Sequence, residues 1–128
     1  MHLRDLAERY TAAWCSNDPA SVAAFYSPGG SLTINDGAAA IGREAIAEAA
    51  QSFMTTFPDL RVVMDRMVEQ DDRAEYHWTL TGTNNGHRVR ISGTERWQIG
   101  PDGLIASSDG RFDSAEYQRQ LGIDGSVA

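Results

Sequence analysis

The stretch RVRISGTERWQI, residues 88–99, decides the fold, because its side chains alternate between polar and apolar with one exception. Every even position from 88 to 98 is polar, and the odd positions hold Val89, Ile91, Gly93, Glu95, Trp97 and Ile99. A period of two is typical of a strand with one face in water and the other against a core or cavity. Glu95 is the exception, because it falls on the apolar face.

This inward carboxyl is the main indication of function. An ionised carboxylate among apolar groups is costly unless it is paired, and desolvation raises its pKa. Catalytic acids and bases are often made in this way. Glu95 is therefore a candidate acid/base, and the alternative is a structural carboxylate paired with Arg66 across the sheet.

Length and composition predict one globular domain over residues 1–128, with 41% hydrophobic and 23% charged residues. The net charge of −7 argues against a nucleic-acid partner. No apolar run approaches the roughly 20 residues of a membrane span, and no signal-peptide pattern is present, so we expect a cytoplasmic protein without a membrane partner. The histidines and the single cysteine show no zinc-site spacing, and we expect neither a metal nor another cofactor.

The first half of the chain predicts three helices. A stripe of apolar residues at spacings of three and four indicates a helix up to about residue 16. Asp18 and Pro19 are typical of the start of a second helix, which the SPGG of residues 27–30 should end. A third helix is predicted over 42–56, before Pro58.

The second half of the chain has strand periodicity. After Pro58 the predicted strands are 60–70, 73–81, 88–98 and 104–113, with a short closing helix over 114–121, and one brief strand is predicted earlier, over 31–36. This order predicts an α+β fold in which three N-terminal helices pack on a curved antiparallel sheet that forms a cone. An open cone rich in aromatic residues is typical of a pocket for a hydrophobic small molecule. The predicted lining is Trp14, Phe53, Phe57, Tyr76, Trp78, Trp97 and Phe112.

Short motifs along nearly the whole chain carry a family resemblance. They are AW at 13–14, ND at 17–18, Phe25, IGREAI at 41–46, WTLTGT at 78–83, DGLI at 102–105 and QLG at 120–122. Their order and spacing resemble the SnoaL-like polyketide cyclase branch of the nuclear transport factor 2-like superfamily. The resemblance implies the ketosteroid isomerase-like cone (a cystatin-like α+β barrel) and a homodimer formed through the sheet.

The resemblance to ketosteroid isomerase also implies residue roles. In that enzyme a tyrosine on the first helix and a neutral carboxylic acid on a late strand form the oxyanion hole. Tyr10 looks like that tyrosine, and Glu95 falls at the place of the acid. The general base of the isomerase lies on the first strand, where this chain has Asn35 or Asp36, and the sequence leaves open which of the two faces the pocket.

Two other relatives match less well. Limonene epoxide hydrolase has an asparagine that matches Asn35, but its arginine and aspartate pair falls on Tyr76 and Trp78. SnoaL-type cyclases use an aspartate on the last strand, and the equivalent position here is Gly110. Asp109 is one position away and would face the pocket only if a bulge turned it inward.

Together these observations predict a small cofactor-independent enzyme that moves a proton next to a carbonyl of a hydrophobic, aromatic or polycyclic compound. The outcome would be cyclisation, isomerisation or dehydration. Tyr10 would donate to the enolate oxygen, Glu95 would be the acid/base, and Asn35 or Asp36 would position the substrate or a water. The alternative is a non-catalytic module of the same fold that binds a small ligand or another protein.

Overall fold

The computed structural model describes residues 3–122, and in it four helices pack against one six-stranded sheet. In chain order the elements are α1 (Leu3–Trp14), α2 (Pro19–Ala23), β1 (Tyr26–Ile34), β2 (Ala40–Ile41), α3 (Arg43–Thr56), β3 (Arg61–Gln70), β4 (Arg73–Asn84), β5 (His87–Ile99), β6 (Ile105–Phe112) and α4 (Ser114–Leu121). The predicted α+β class is confirmed, and α4 has the predicted bounds.

The sheet is open and curved, with the strand order β2-β1-β6-β5-β4-β3. Strands β3 to β6 are antiparallel neighbours, as predicted, but β1 lies parallel to β6. The sheet is therefore mixed rather than wholly antiparallel. The reason is that α3 carries the chain from β2 to the far edge of the sheet, so that no hairpin fixes the direction of β1 relative to the later strands.

The second helix is shorter than predicted. It ends at Ala23, and β1 already begins at Tyr26, so the SPGG segment lies within a strand. The pairing of β1 with β6 shifts register between Tyr26 and Ser31, and this irregular stretch accommodates Pro28, which has no N–H to donate to a ladder. The proline and glycines that favour a helix end are equally compatible with an interrupted strand.

Aspartate side chains begin two of the helices. The Asp18 carboxylate accepts a hydrogen bond from the backbone N–H of Ala20 at 3.2 Å, with Pro19 in the first turn of α2. Asp113 accepts from the backbone N–H of Glu116 at 3.1 Å at the start of α4. Each contact satisfies a donor that has no partner within its own helix.

Strand register brings the chemically important side chains together. Tyr76 on β4 pairs with Glu95 on β5, and two residues further Trp78 pairs with Gly93. A Cβ atom at Gly93 would overlap both the Trp78 ring and a backbone carbonyl of β6. Only glycine fits there, because the Trp78 indole lies directly over β5. On the other side of β5, Gly110 of β6 pairs with Glu95.

The core lies between α1, α3 and the sheet. Its largest fully buried side chains include four aromatic residues, which are Tyr10, Tyr26, Tyr76 and Trp97. Trp97 stacks on Tyr76 with ring centroids 5.0 Å apart and meets Tyr10 edge to face at 5.2 Å. Within residues 3–122, no helix combines the length and apolar character required to span a bilayer.

Candidate active site

A cavity of about 60 Å³ lies against the inner face of the sheet, beside Glu95. Five of the seven predicted lining residues contribute to it, namely Trp14, Phe53, Tyr76, Trp78 and Phe112. The remaining wall is Leu32, Ile34, Val62, Leu80, Gly110 and Glu95 itself. Among these described residues Glu95 supplies the one carboxyl, so an acid faces a small and otherwise apolar space, which we call the Glu95 cavity.

Glu95 is held by one of its two carboxyl oxygens. Oε1 accepts three hydrogen bonds, from the Tyr10 hydroxyl at 3.0 Å, the Trp97 indole Nε1 at 2.9 Å and the Ser108 hydroxyl at 2.8 Å. The carboxyl side chain is nearly fully buried, with 8% of the residue exposed. Three converging donors fix the orientation of the carboxyl, and Gly110 opposite leaves it room because glycine has no side chain.

The second carboxyl oxygen, Oε2, differs from Oε1 in its hydrogen bonding. Among the residues that the structure describes none hydrogen-bonds to Oε2, and the Glu95 side chain is part of the cavity wall. Because Oε1 is saturated with donors, the proton of a neutral Glu95 must reside on Oε2. A neutral Glu95 therefore carries one exchangeable proton on the carboxyl oxygen that no described residue engages.

Burial raises the pKa of the Glu95 carboxyl above its ordinary value of 4.5. The hydrogen bonds from Trp97, Ser108 and Tyr10 act in the opposite direction, since each stabilises the carboxylate, but burial prevails. No guanidinium or ammonium group contacts the carboxyl among the described residues. Arg66, the predicted alternative partner, is exposed, follows the register shift in β3 and pairs in the ladder with His77.

A chain of hydroxyl groups extends from Glu95 into the core. The Tyr10 hydroxyl donates to Glu95 and lies 2.9 Å from the Tyr26 hydroxyl, which therefore donates to Tyr10. Burial, followed by the nearby Glu95 charge, raises the pKa of both tyrosines, so both stay neutral donors. Tyr10 is fully buried and is not part of the described cavity wall, and its hydroxyl acts on Glu95 rather than on the cavity.

The structure does not bring Asn35 or Asp36 to the Glu95 cavity. Both adopt left-handed backbone conformations in the turn after β1, with φ of 49° and 63°. The Asn35 side-chain oxygen accepts a hydrogen bond from the Phe112 N–H at 2.9 Å, and the exposed Asp36 carboxylate forms an ion pair with Arg111 at 2.7 Å. These contacts connect the turn to β6, which accounts for both side chains without a ligand.

Two predicted lining residues lie elsewhere, and the inward bulge at Asp109 is absent. Phe57 lines a neighbouring cavity, and Trp97 lies behind Glu95 instead of on the cavity wall. Asp109 pairs in register with Arg96 on the opposite face from Gly110, and its carboxylate is 3.3 Å from Arg111. The carboxylate of a SnoaL-type cyclase therefore has no counterpart at this strand.

Sequence reasoning missed two members of the hydrogen-bond network, Ser108 and Tyr26. Ser108 is opposite Trp97 on β6, and the alternation of β6 would have placed it inward beside Gly110. Tyr26 was predicted to belong to a helix, and its strand position brings its hydroxyl to Tyr10. Across residues 3–122, no group of three His, Cys, Asp or Glu side chains is arranged to hold a metal ion.

The open cone and its buried acid define a protein of ketosteroid isomerase-like architecture. The model of the SnoaL-like domain family matches residues 7–108, and the chain belongs to that family. No curated protein matches the chain.

Solved structures support the same fold. A hypothetical protein with a ketosteroid isomerase-like fold from Catenulispora acidiphila, in complex with trimethylamine, is 16% identical with a TM-score of 0.86, covering 93% of each chain. TsrD from Streptomyces laurentii is 25% identical with a TM-score of 0.83, covering 94% of this chain and 95% of TsrD. The epoxide hydrolase/cyclase-like enzyme SalBIII, described in pyran ring formation in salinomycin, is 16% identical with a TM-score of 0.78, covering 88% and 92%.

The raised pKa of Glu95 predicts a pH-dependent stability. Below about pH 4.5 the carboxyl is neutral in both the folded and unfolded states, and its contribution to stability is fully present. As the pH rises toward the folded-state pKa, the unfolded chain ionises first, so the free energy of unfolding falls by about 1.4 kcal/mol for each tenfold difference in proton affinity.

Urea unfolding of the wild type and Glu95→Gln at a series of pH values measures how much Glu95 contributes to the pH dependence of the free energy of unfolding. Other carboxyls contribute equally to both proteins, so the difference between the two isolates Glu95. We expect the wild type to lose stability relative to Glu95→Gln as the pH rises above 4.5. A difference that does not change with pH would show that the carboxyl has an ordinary pKa.

Proposed function

We propose that the protein is a cofactor-independent enzyme that transfers a proton next to the carbonyl of a small hydrophobic compound. The observation that carries the proposal is the Glu95 carboxyl, which lines an apolar cavity and has Oε1 held by three donors while no described residue hydrogen-bonds to Oε2. A buried acid with a raised pKa is protonated near neutral pH more often than an exposed one, which suits a general acid.

The chemistry needs one proton at Oε2. Neutral Glu95 donates this proton to the carbonyl oxygen of the substrate, and the resulting carboxylate accepts a proton from the carbon next to that carbonyl. The ketone becomes its enol and Glu95 is neutral again, so atoms and charge balance without another reagent. The enol can then lose its hydroxyl proton to Glu95 while Glu95 gives its own proton to a different carbon of the conjugated system, to a departing hydroxyl group that leaves as water, or to the oxygen of a second carbonyl that the enol carbon attacks. These outcomes are isomerisation, dehydration and cyclisation.

In this scheme Tyr10, Trp97 and Ser108 are positioning residues. Their hydrogen bonds to Oε1 keep Oε2 directed at the substrate and stabilise the carboxylate when it forms. Tyr10 therefore acts through Glu95, in contrast to the direct contact with substrate that the sequence predicted. SalBIII, which is similar in fold at 16% identity, is described in pyran ring formation, and cyclisation is one of the outcomes proposed here.

The test is proton exchange at carbon in D₂O. Open-chain ketones such as acetone and phenylacetone are incubated with the protein, and deuterium at the carbon next to the carbonyl is followed by proton NMR. We expect exchange above the buffer rate that depends on Glu95. Exchange at the buffer rate with every ketone that binds would overturn the proposal.

A second candidate function is a ligand-binding module without catalysis. One reason is Gly110, which lies where SnoaL-type cyclases have their catalytic aspartate. The other is that Glu95 is the one carboxyl among the described residues that line the cavity. Ligand binding without proton exchange at carbon in the same experiment would favour this module.

We also propose a homodimer formed through the outer face of the sheet. Val63 and Val68 of the edge strand β3 are 59% and 41% exposed, so this strand presents apolar side chains that a second copy could cover. Arg88, Arg90 and Arg96 on the outer face of β5 offer positive charge to an acidic partner surface. Light scattering is expected to give twice the chain mass, and a monomeric mass at micromolar concentration would contradict the proposal.

A further inference from the structure

The outer face of the sheet carries most of the protein's positive charge. All eleven side chains that are cationic at neutral pH are arginines, and strand register places seven of them on this face, namely Arg61, Arg66, Arg73, Arg88, Arg90, Arg96 and Arg111. Three carboxylates share the face, Asp65, Glu75 and Asp109. The whole chain has a net charge of −7, so this is a cationic surface on an acidic protein. A surface with one sign of charge raises the local concentration of anions.

A groove of about 410 Å³ lies in this face, at the end of the sheet next to the β3–β4 turn. Arg73 and Arg96 both line it, together with Gln98 and Ser107, and we call it the Arg96 groove. In the ladder Arg73 pairs with Gln98, and Arg96 is two residues before Gln98, so the two arginines are diagonal neighbours on one face. Long side chains reach one another across the roughly 7–8 Å between such neighbours. Two guanidinium groups are therefore within reach of one small ligand.

Arg96 has no ion-pair partner although it lies between two carboxylates in the ladder, Glu75 on β4 and Asp109 on β6. Asp109 is 3.3 Å from Arg111, and Glu75 is 3.3 Å from His77 Nε2, so both carboxylates are already engaged. Among the described residues none accepts a hydrogen bond from the Arg96 side chain. All five of its N–H groups are available to a ligand.

Arg73 is held in place by Gln98. The Arg73 Nε donates to the Gln98 side-chain oxygen at 3.2 Å, and the Gln98 amide nitrogen donates to the Asp72 carbonyl at 3.3 Å. One N–H of Arg73 is used in this way, and the four on its terminal nitrogens have no acceptor in the described part of the chain. The planar fork of a guanidinium matches the two oxygens of a carboxylate or a phosphate.

Glu75 is the one carboxylate among the described residues that line the Arg96 groove. It lies across the ladder from Arg96, and its negative charge opposes the binding of an anion. The guanidinium groups of Arg73 and Arg96 outnumber it, so the groove keeps a net positive charge. Salt screens the charges of exposed groups, and recognition of a ligand therefore depends on direct hydrogen bonds.

We propose that the Arg96 groove binds a small molecule through an oxyanion group, either a carboxylate or a phosphate. Arg96 and Arg73 supply the donors, and Gln98 orients Arg73. Glu95 lies on the inner face of the same strand, so this site is separate from the Glu95 cavity and does not depend on the proposed enzyme. The groove recognises a charged group, whereas the wall of the Glu95 cavity is apolar apart from the acid itself.

Titration with inorganic phosphate and with acetate tests the inference. Dissociation constants come from the backbone amide signals in NMR spectra, at neutral pH and at an ionic strength held constant with sodium chloride. We expect saturable binding of at least one of the two anions in the millimolar range, with shifted signals around Arg73 and Arg96. Shifts that grow without saturation, or that arise elsewhere on the chain, would overturn the inference.

Arg96→Gln removes the guanidinium that has no partner and keeps a side chain that can hydrogen-bond. The dissociation constant is expected to rise at least about 10-fold, as the loss of hydrogen bonds to a charged group typically causes. Arg90→Gln is the matched control, because Arg90 is exposed on the same face of β5 and does not line the groove. The control should stay within about twofold of the wild type, since only screened long-range attraction is lost. Equal losses in both variants would mean that the anion is attracted to the whole face and would contradict a site.

Glu75→Gln is expected to change the affinity in the opposite direction. Removing the carboxylate across from Arg96 should lower the dissociation constant about threefold, within the range of an exposed pair of charges. Weaker binding in Glu75→Gln would contradict the placement of the anion beside Arg96.

A carboxylate of a second copy of the chain is the competing occupant of the groove. Titration at several protein concentrations, with the mass followed by light scattering, separates this occupant from a free anion. A dissociation constant that is independent of protein concentration supports the small-molecule site. A dissociation constant that rises as a dimer forms would show that the second copy covers the groove, and the inference would be wrong.

Discussion

Glu95→Gln is expected to lower the rate of proton exchange at the carbon next to a ketone by about 10²–10⁴-fold, the contribution typical of a positioned general acid/base. The side-chain oxygen of glutamine can still accept the three hydrogen bonds that Oε1 now receives. The amide nitrogen that replaces Oε2 cannot take a proton from carbon. The substitution therefore removes the chemistry and preserves the shape.

A matched control for Glu95→Gln is Ser108→Ala. It removes the hydrogen bond of 2.8 Å to Oε1 and leaves the carboxyl and the cavity in place. The Ser108 hydroxyl lowers the pKa of Glu95, so its removal should shift the pH–rate profile to higher pH. The loss of rate should be smaller than in Glu95→Gln. A Glu95→Gln protein that retains full exchange would show that another group carries the proton.

The inward direction of Glu95 was predictable because the pleat of a strand alternates side chains regardless of their chemistry. A twelve-residue alternation with one exception left little freedom for β5. The proximity of Tyr10 followed from the resemblance, and its helical spacing agrees with the buried face of α1. Properties that depend on local periodicity could thus be predicted from the sequence.

The orientation of the Glu95 carboxyl could not be predicted in this way. It depends on Ser108, whose position opposite Trp97 is set by the β5–β6 register, and on the Tyr10 hydroxyl, which hydrogen-bonds in turn to Tyr26 of β1. Both involve strand pairings between distant segments, and the sequence carries no local signal for them. Asn35 and Asp36 illustrate the same limit, since a turn with positive φ directs their side chains at β6 and away from the cavity.

The cavity volumes also lie beyond sequence reasoning. The aromatic residues predicted to line one pocket divide instead between two cavities and the core behind Glu95. Aromatic side chains are equally suited to filling space and to enclosing it, and their rotamers decide between the two. Trp97 is the clearest case, because it packs behind the acid and donates to it.

Trp97→Ala is expected to reduce the free energy of unfolding by about 3–5 kcal/mol, the usual cost of deleting a fully buried tryptophan. The substitution removes the stacking with Tyr76, the edge contact with Tyr10 and the donor to Glu95 at once. A loss of this size is a large part of the stability of a typical domain, and urea unfolding measures it. A loss below about 1 kcal/mol would contradict the central place of Trp97 in the core.

Trp97→Phe separates packing from hydrogen bonding. It keeps an aromatic ring against Tyr76 but removes the Nε1–H group that donates to Glu95, so the pKa of the carboxyl should rise further. Trp78→Phe is the matched control, because the buried Trp78 Nε1 has no hydrogen-bond partner among the described residues. If carboxyl NMR shows the same Glu95 pKa in both variants, the indole of Trp97 does not tune the acid. If the pKa rises only in Trp97→Phe, one side chain stabilises the core through its ring and sets the proton affinity of the site through its nitrogen.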